Sequence, residues 1–126
     1  MPSTDDLDDA TLKELVEKFY QRARADADLG PVFQAAVADW DDHHARLTDF
    51  WSSVVLGSGR YKGNPVALHM LHAPHITPEM FAKWLSLWRR TTSEHLSEPT
   101  AKLMQSKADR IATTLQQVLF RKTPAH

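Results

Sequence analysis

Apolar residues recur along this chain at spacings of three and four, which is the period of an amphipathic helix. The first such stretch follows Asp8 and Asp9, either of which can cap it, and we expect Gly30-Pro31 to end it. Its apolar positions are Leu12, Leu15, Val16, Phe19, Tyr20 and Ala23. The pattern predicts a long first helix with one buried face.

Three later stretches show the same period. The first runs from about Asp39 to Leu56 and ends at Gly57-Ser58-Gly59, the second begins at Thr77-Pro78, and the last follows Pro99. Their expected inward positions are Trp40, His43 or His44, Leu47, Phe50, Trp51, Val54 and Val55; Phe81, Trp84, Leu85 and Trp88; and Leu103, Met104, Ala108, Ile111, Leu115, Val118 and Leu119. Short helical turns are expected after Pro31 and Pro65.

No stretch alternates with the period of two that marks a strand, so the fold class is predicted to be all-α. The chain of 126 residues suits one domain, expected over residues 1–126 with frayed ends at about 1–7 and 122–126.

The composition of the chain excludes several classes of function. The 15 Lys and Arg residues against 16 Asp and Glu residues leave no basic excess to neutralise phosphates, so neither a nucleic-acid partner nor a membrane partner is expected. The absence of Cys excludes disulfides, thiolate nucleophiles and haem attached covalently through cysteine. No apolar run reaches membrane length, and the acidic N-terminus does not look like a signal peptide, so a cytoplasmic protein is expected.

Seven His and four Trp are the candidates for chemistry. His69, His72 and His75 form an H-x-x-H-x-x-H pattern that could hold zinc, although Pro74 interrupts it and the next carboxylate is Glu79. His72 and His75 are more ordinarily interpreted as solvent-facing loop residues. Taken singly, a Tyr, His or Trp on an apolar helix face is more often part of the core than part of a site.

The ordered combination of short motifs is more specific than its parts. It consists of Phe19-Tyr20, Leu29-Gly30-Pro31-Val32-Phe33, Trp40-x-x-His43, Asp49-Phe50-Trp51, Tyr61-x-Gly63-x-Pro65-x-x-x-His69 and Phe81-x-x-Trp84-Leu85-x-Leu87-Trp88. This string resembles the truncated haemoglobins of group III from about residue 8 to residue 121. The absence of adjacent glycines agrees with that group.

The resemblance implies a truncated globin, a two-over-two helical sandwich around non-covalent haem b. It assigns His69 as the proximal iron ligand, and Tyr20, His43 and Trp84 as distal residues facing a bound gas. Its pocket residues are Phe33, which packs on the porphyrin, and Phe19, Leu47, Phe50, Trp51, Phe81 and Leu85. The chain departs from the family in having His72 where a Leu-Pro pair commonly follows the proximal His.

Physical reasoning adds three expectations. A neutral imidazole that holds iron needs a partner for its other ring nitrogen, expected to be a backbone carbonyl near Pro65 or Val66. Haem binding should stabilise the fold, because its apolar slot is otherwise costly. Lys62, Arg60 or His72 could pair with a propionate.

Three functional hypotheses follow. The first is reversible binding of oxygen, carbon monoxide or nitric oxide in a hydrogen-bonding distal pocket, for storage, sensing or chemistry on the gas. The second is a haem enzyme, a nitric oxide dioxygenase or peroxidase, which would need an external reductant. The third is a haem-free helical protein that uses its His cluster for metal binding or for interaction.

Overall fold

The computed structural model describes residues 7–65, 69 and 73–120. Within these ranges there are five α-helices and no strand, which confirms the all-α prediction. The helices are α1 (Asp9–Ala25), α2 (Leu29–Ala36), α3 (Trp40–Leu56), α4 (Pro78–His95) and α5 (Glu98–Leu119). A 3-10 turn at Ala73–His75 precedes α4, and Pro65 and His69 also have helical backbone.

Side-chain caps define the start of three helices, close to where the sequence predicts each of them to begin. The carboxylate of Asp8 accepts from the Thr11 amide at 2.7 Å and that of Asp39 accepts from the Asp42 amide at 3.1 Å. The hydroxyl of Thr77 accepts from the Met80 amide at the start of α4. Each cap satisfies a backbone donor that has no partner inside its helix.

The expected end of the first helix at Gly30-Pro31 is wrong. Helix α1 ends at Ala25, and Gly30 lies inside α2. Asp26 makes the break, because its carboxylate accepts from the amides of Asp28 and Leu29. Gly30 serves close packing instead: a Cβ placed there would lie 2.4 Å from the Arg24 carbonyl oxygen.

The helices form two packed pairs, α1 with α3 and α4 with α5, joined where α1 crosses α4. Helix α2 packs on α1 and touches α4. The arrangement agrees with the two-over-two sandwich that the resemblance implies. None of the helices in the described part of the chain is long and apolar enough to cross a membrane.

The core centres on α1, and all six predicted apolar positions of that helix are buried. They pack with Leu29, Trp51, Trp88, Met104 and Ala108. In α5 the small residues Ala101 and Ala112 are buried, whereas Val118, predicted to face inward, is 40% exposed. Leu119, on the same turn, still packs against the cluster that contains Phe81, so the covered face of α5 is narrower than the predicted one.

Candidate functional site

His69 is oriented by a backbone contact of the predicted kind. Its Nδ1 lies 2.7 Å from the carbonyl oxygen of Pro65, one helical turn earlier. A carbonyl can only accept, so Nδ1 carries the proton and donates it. In the neutral ring the lone pair is then on Nε2, the atom a metal would take. The imidazole is half-buried.

Tyr20 lies at the centre of a ring cluster on the other side of the fold. Its ring centroid is 5.2 Å from that of Phe33, 5.9 Å from Trp40 and 5.3 Å from His43. Burial raises the pKa of the phenol, while a hydrogen bond with the Trp84 indole acts in the opposite direction. The hydroxyl therefore keeps its proton and remains available as a donor at all ordinary pH values.

His43 is held neutral in this cluster. Burial lowers its pKa to about 4, and nearby His44 and Arg46 act in the same direction. Its Nε2 is buried without a hydrogen-bond partner among the described residues. Because buried polar atoms normally have partners, this orphaned nitrogen indicates a position that a polar ligand would occupy.

Tyr20, His43 and Trp84 therefore come together in space, although they lie on three different helices. Tyr20 is on α1, His43 on α3 and Trp84 on α4. Their cluster also includes the rings of Phe33 and Trp40 and a second imidazole, His44, whose centroid is 5.9 Å from that of Tyr20. Hydrogen bonds to a ligand in such a buried cluster are stronger than in water.

The predicted apolar wall residues fall into two classes. Four remain half-buried while packed against the core, and they are Phe33, Leu47, Phe50 and Leu85. Partly exposed apolar side chains on adjoining helices are the surface that a flat apolar ligand would cover. Trp51 is 3% exposed and Phe19 is fully buried, so both support the wall from the core. Phe81 lies in a smaller cluster with Ala112 and Leu115.

The residues expected to pair with a haem propionate differ in whether they already have a partner. Arg60 is engaged by the Asp9 carboxylate at 2.6 and 2.9 Å and by Asp49 at 3.4 Å. Lys62 is exposed. His72 lies outside the described residues, and within those residues no group of three His, Cys, Asp or Glu side chains could hold a metal ion.

Comparison with known proteins favours the two haem hypotheses over the haem-free one. The Bacterial-like globin family matches residues 8–120, which include all five helices. The chain belongs to this globin family. It is 32% identical over 115 residues to a protein described as Group 3 truncated hemoglobin ctb of Campylobacter jejuni, covering 88% of this chain and 90% of that relative.

A solved structure agrees with the sequence comparison. The crystal structure of a group III truncated hemoglobin from Campylobacter jejuni superposes with a TM-score of 0.83 at 28% identity, covering 94% of this chain and 96% of that one. The predicted group III resemblance is confirmed. Membership implies a non-covalently bound haem and the binding of diatomic gases such as oxygen.

The residues of this globin fit a haem. A half-buried imidazole offers Nε2, half-buried apolar side chains offer walls, and a buried nitrogen at His43 has no partner in the part of the chain that the structure describes. These are the three requirements of a non-covalent haem site that also binds a gas: an axial nitrogen, apolar faces and a polar distal contact.

Two features of the globin's site were not foreseen. The Nε2 of His44 is also buried without a partner among the described residues, and burial lowers the pKa of this ring. The indole of Trp88 stacks between those of Trp84 and Trp51. The adjacent pair His43-His44 was the available signal for the first feature. The second depends on residues far apart in the sequence.

Proposed function

We propose that His69 Nε2 holds the haem iron and that Tyr20, His43 and Trp84 bind a diatomic gas in a hydrogen-bonding distal pocket. The observation that carries this proposal is the buried Nε2 of His43, which has no partner within residues 7–65, 69 and 73–120, beside the buried phenol of Tyr20. Burying a polar atom without a partner costs free energy, so a pocket that only excluded water would be more stable with an apolar side chain at this position.

The haem iron, when bound, supplies the open coordination position at which a gas molecule is taken up. The chain supplies the rest. His69 presents its lone pair because Pro65 fixes the position of its ring proton. Phe33, Leu47 and Leu85 offer apolar contact and keep water away.

The distal residues can donate to a bound gas from different directions. Tyr20 offers an O–H, Trp84 offers an N–H, and neutral His43 offers either a proton or a lone pair at Nε2. Two such hydrogen bonds, worth about 1–1.5 kcal/mol each, slow ligand escape by roughly ten- to a hundredfold. Slow release favours storage, sensing or chemistry on the gas over transport.

The first experiment tests the proximal ligand. We expect His69→Ala to lose tight haem retention and His72→Ala to keep it. Visible spectra of the reduced protein, with and without carbon monoxide, measure both outcomes. Retention of a normal carbon monoxide spectrum by His69→Ala would move the iron ligand to another residue.

The second experiment tests the distal pocket. We expect Tyr20→Phe and Trp84→Phe each to raise the oxygen dissociation rate about fivefold, because each loses a donor worth about 1 kcal/mol. Stopped-flow displacement by carbon monoxide measures that rate. Tyr61→Phe is the matched control, since Tyr61 lies beside Phe50 and Gly63 rather than in the distal cluster. Rates equal to the control would refute the assignment.

Turnover distinguishes gas binding from the enzymatic alternative. A nitric oxide dioxygenase or peroxidase would consume its substrate repeatedly when an external reductant is supplied. A reversible gas binder would return to its starting spectrum without net consumption.

A further inference from the structure

Three indole rings form a continuous stack through the centre of the molecule. The centroids of Trp84 and Trp88 are 5.8 Å apart with the planes 6° from parallel. Those of Trp88 and Trp51 are 4.5 Å apart at 16°. Trp88 and Trp51 are almost fully buried. We call Trp84, Trp88 and Trp51 the indole row.

The two ends of the indole row differ in their surroundings. At one end Trp84 meets Phe19 at 5.5 Å, and Phe19 in turn meets Tyr20 at 4.9 Å. At the other end Trp51 meets Phe50 at 5.5 Å, and Phe50 meets Tyr61 at 5.2 Å. Tyr61 is partly exposed. A continuous set of aromatic rings therefore joins the distal pocket to a phenol within reach of solvent.

We propose that the indole row conducts single electrons from Tyr61 to the distal pocket when this protein reduces hydrogen peroxide, with a small phenol or ascorbate as the hydrogen-atom donor. The proposal rests on the distal pocket described above and adds to it a route by which a reductant acts without entering that pocket.

The surroundings of Trp88 favour this role. Indoles and phenols lose an electron more readily than other side chains, and parallel rings in contact exchange electrons readily. The Nε1–H of Trp88 donates to the Met104 carbonyl oxygen at 3.3 Å. That oxygen carries partial negative charge, so it stabilises the positive charge of an oxidised indole while accepting no proton from it.

The electrons and atoms balance. Reduction of one hydrogen peroxide breaks the O–O bond, takes up two electrons and two protons, and releases two water molecules. The haem, when bound, would supply one of these electrons, and the indole row supplies the other. Tyr61 returns an electron to the row, its proton passes to solvent, and one donor molecule restores Tyr61 with a hydrogen atom. Tyr61 passes on a second electron in the same way and a second donor restores it, so two donors are oxidised for each peroxide and the two protons taken up are replaced.

The experiment identifies the residues that carry a radical or an oxidation product after the protein has reacted with hydrogen peroxide. The ferric haem protein is mixed with one equivalent of hydrogen peroxide without a donor and frozen for electron paramagnetic resonance. A parallel sample is digested to locate oxidised residues by mass spectrometry. In the native chain we expect an aromatic radical and oxidation products at Tyr61. In Trp88→Phe we expect the products at Tyr61 to disappear and those at Tyr20 and Trp84 to increase.

Two further variants keep the test decisive if Trp88→Phe folds poorly. Tyr61→Phe, at the partly exposed end, should leave the radical on an indole, which ring-deuterated tryptophan identifies by its altered spectrum. Phe120→Leu is the control, because Phe120 packs against Phe81, outside both the indole row and the ring cluster around Tyr20, and it should leave oxidation at Tyr61 intact.

Three results would overturn the indole row as a route. These are undiminished oxidation of Tyr61 in Trp88→Phe, no oxidation of Tyr61 in the native chain, or the same radical spectrum with and without deuterated tryptophan in Tyr61→Phe. Failure of the distal pocket itself is recognised separately, since it would appear as unchanged oxygen dissociation in Tyr20→Phe and Trp84→Phe.

Discussion

His43 and His69 are the same residue type, yet their surroundings prepare them for opposite tasks. His69 has its Nδ1 proton fixed by the Pro65 carbonyl, which leaves one defined lone pair on Nε2. His43 has a buried Nε2 without a partner among the described residues and a pKa lowered to about 4. Local partners, rather than residue identity, thus decide which ring is suited to a metal and which to a gas.

Stability should fall on mild acidification because of His43. The unfolded ring keeps its ordinary pKa near 6.5 and the folded one is at about 4, so the unfolded chain takes up a proton first as the pH falls through this window. We expect the free energy of unfolding to drop by about 1–2 kcal/mol from about pH 7 to about pH 5, allowing for partial exposure of the ring.

Urea unfolding of the haem-loaded protein at both pH values measures this effect. His43→Gln should show a smaller loss of stability than the native chain. His75→Gln, on the exposed turn before α4, is the control for removal of one histidine. An equal loss in His43→Gln and in the native chain would contradict the assignment.

At the scale of elements, helix α4 contributes side chains to three parts of the molecule. It contributes Trp84 to the distal cluster, Trp88 to the core and Phe81 to the smaller cluster near α5. Its surface holds ion pairs from Lys83 to Asp26 and Asp28, the residues that separate α1 from α2. The direction in which α4 leaves its cap therefore positions one wall of the site.

Loss of the α4 cap should destabilise the protein modestly. Thr77→Ala leaves the Met80 amide without its side-chain acceptor, and we expect a loss of about 1 kcal/mol. Thr77→Ser keeps the hydroxyl and should stay close to the native value. Thermal unfolding of the three proteins compares them, and equal midpoints for Thr77→Ala and the native chain would show that the cap has no effect.

Gly30 sets the approach of α2 to α1. Gly30→Ala would place a Cβ 2.4 Å from the backbone oxygen of Arg24, so the helices must separate. We expect a loss of about 1–3 kcal/mol. Gln34→Ala, at an exposed position of α2, should change stability by less than about 0.5 kcal/mol. Chemical unfolding of both variants tests the pair, and similar stabilities would rule out the steric explanation.

At the scale of the whole molecule, the fold and the haem depend on each other. The half-buried side chains of Phe33, Leu47 and Phe50 pack on the core while still presenting apolar surface. A haem that covers this surface binds the folded chain and not the unfolded one, so it must shift the folding equilibrium towards the native state.

Haem should therefore raise the unfolding midpoint measurably. At a free haem concentration about a thousandfold above the dissociation constant, the expected gain is about 4 kcal/mol. Circular dichroism during heating, with and without haem, measures the shift. His69→Ala at the same haem concentration should show a much smaller shift. An equal shift in both proteins would mean that haem is held without the proximal imidazole.

The correct predictions of the fold depended on signals that lie within a single helix. The caps at Asp8, Asp39 and Thr77 mark three helix starts, and the apolar stripe of α1 marks its buried face. Gly30 misled the prediction of the first helix end, because a glycine can serve a close contact as well as a stop. Val118 misled the prediction of the core, because periodicity does not say how much of a helix face its neighbours cover.

The sequence alone determined the helices, the ordered motifs of a group III truncated globin and, through the spacing of Pro65 and His69, the contact that orients the His69 imidazole. These depend on interactions within a turn or two of helix. Only the tertiary structure decided that His43 lies beside Tyr20 with a nitrogen unpartnered among the described residues, and that the rings of Trp51 and Trp84 both stack with that of Trp88. Such contacts depend on the crossing of helices, which no spacing along one helix specifies.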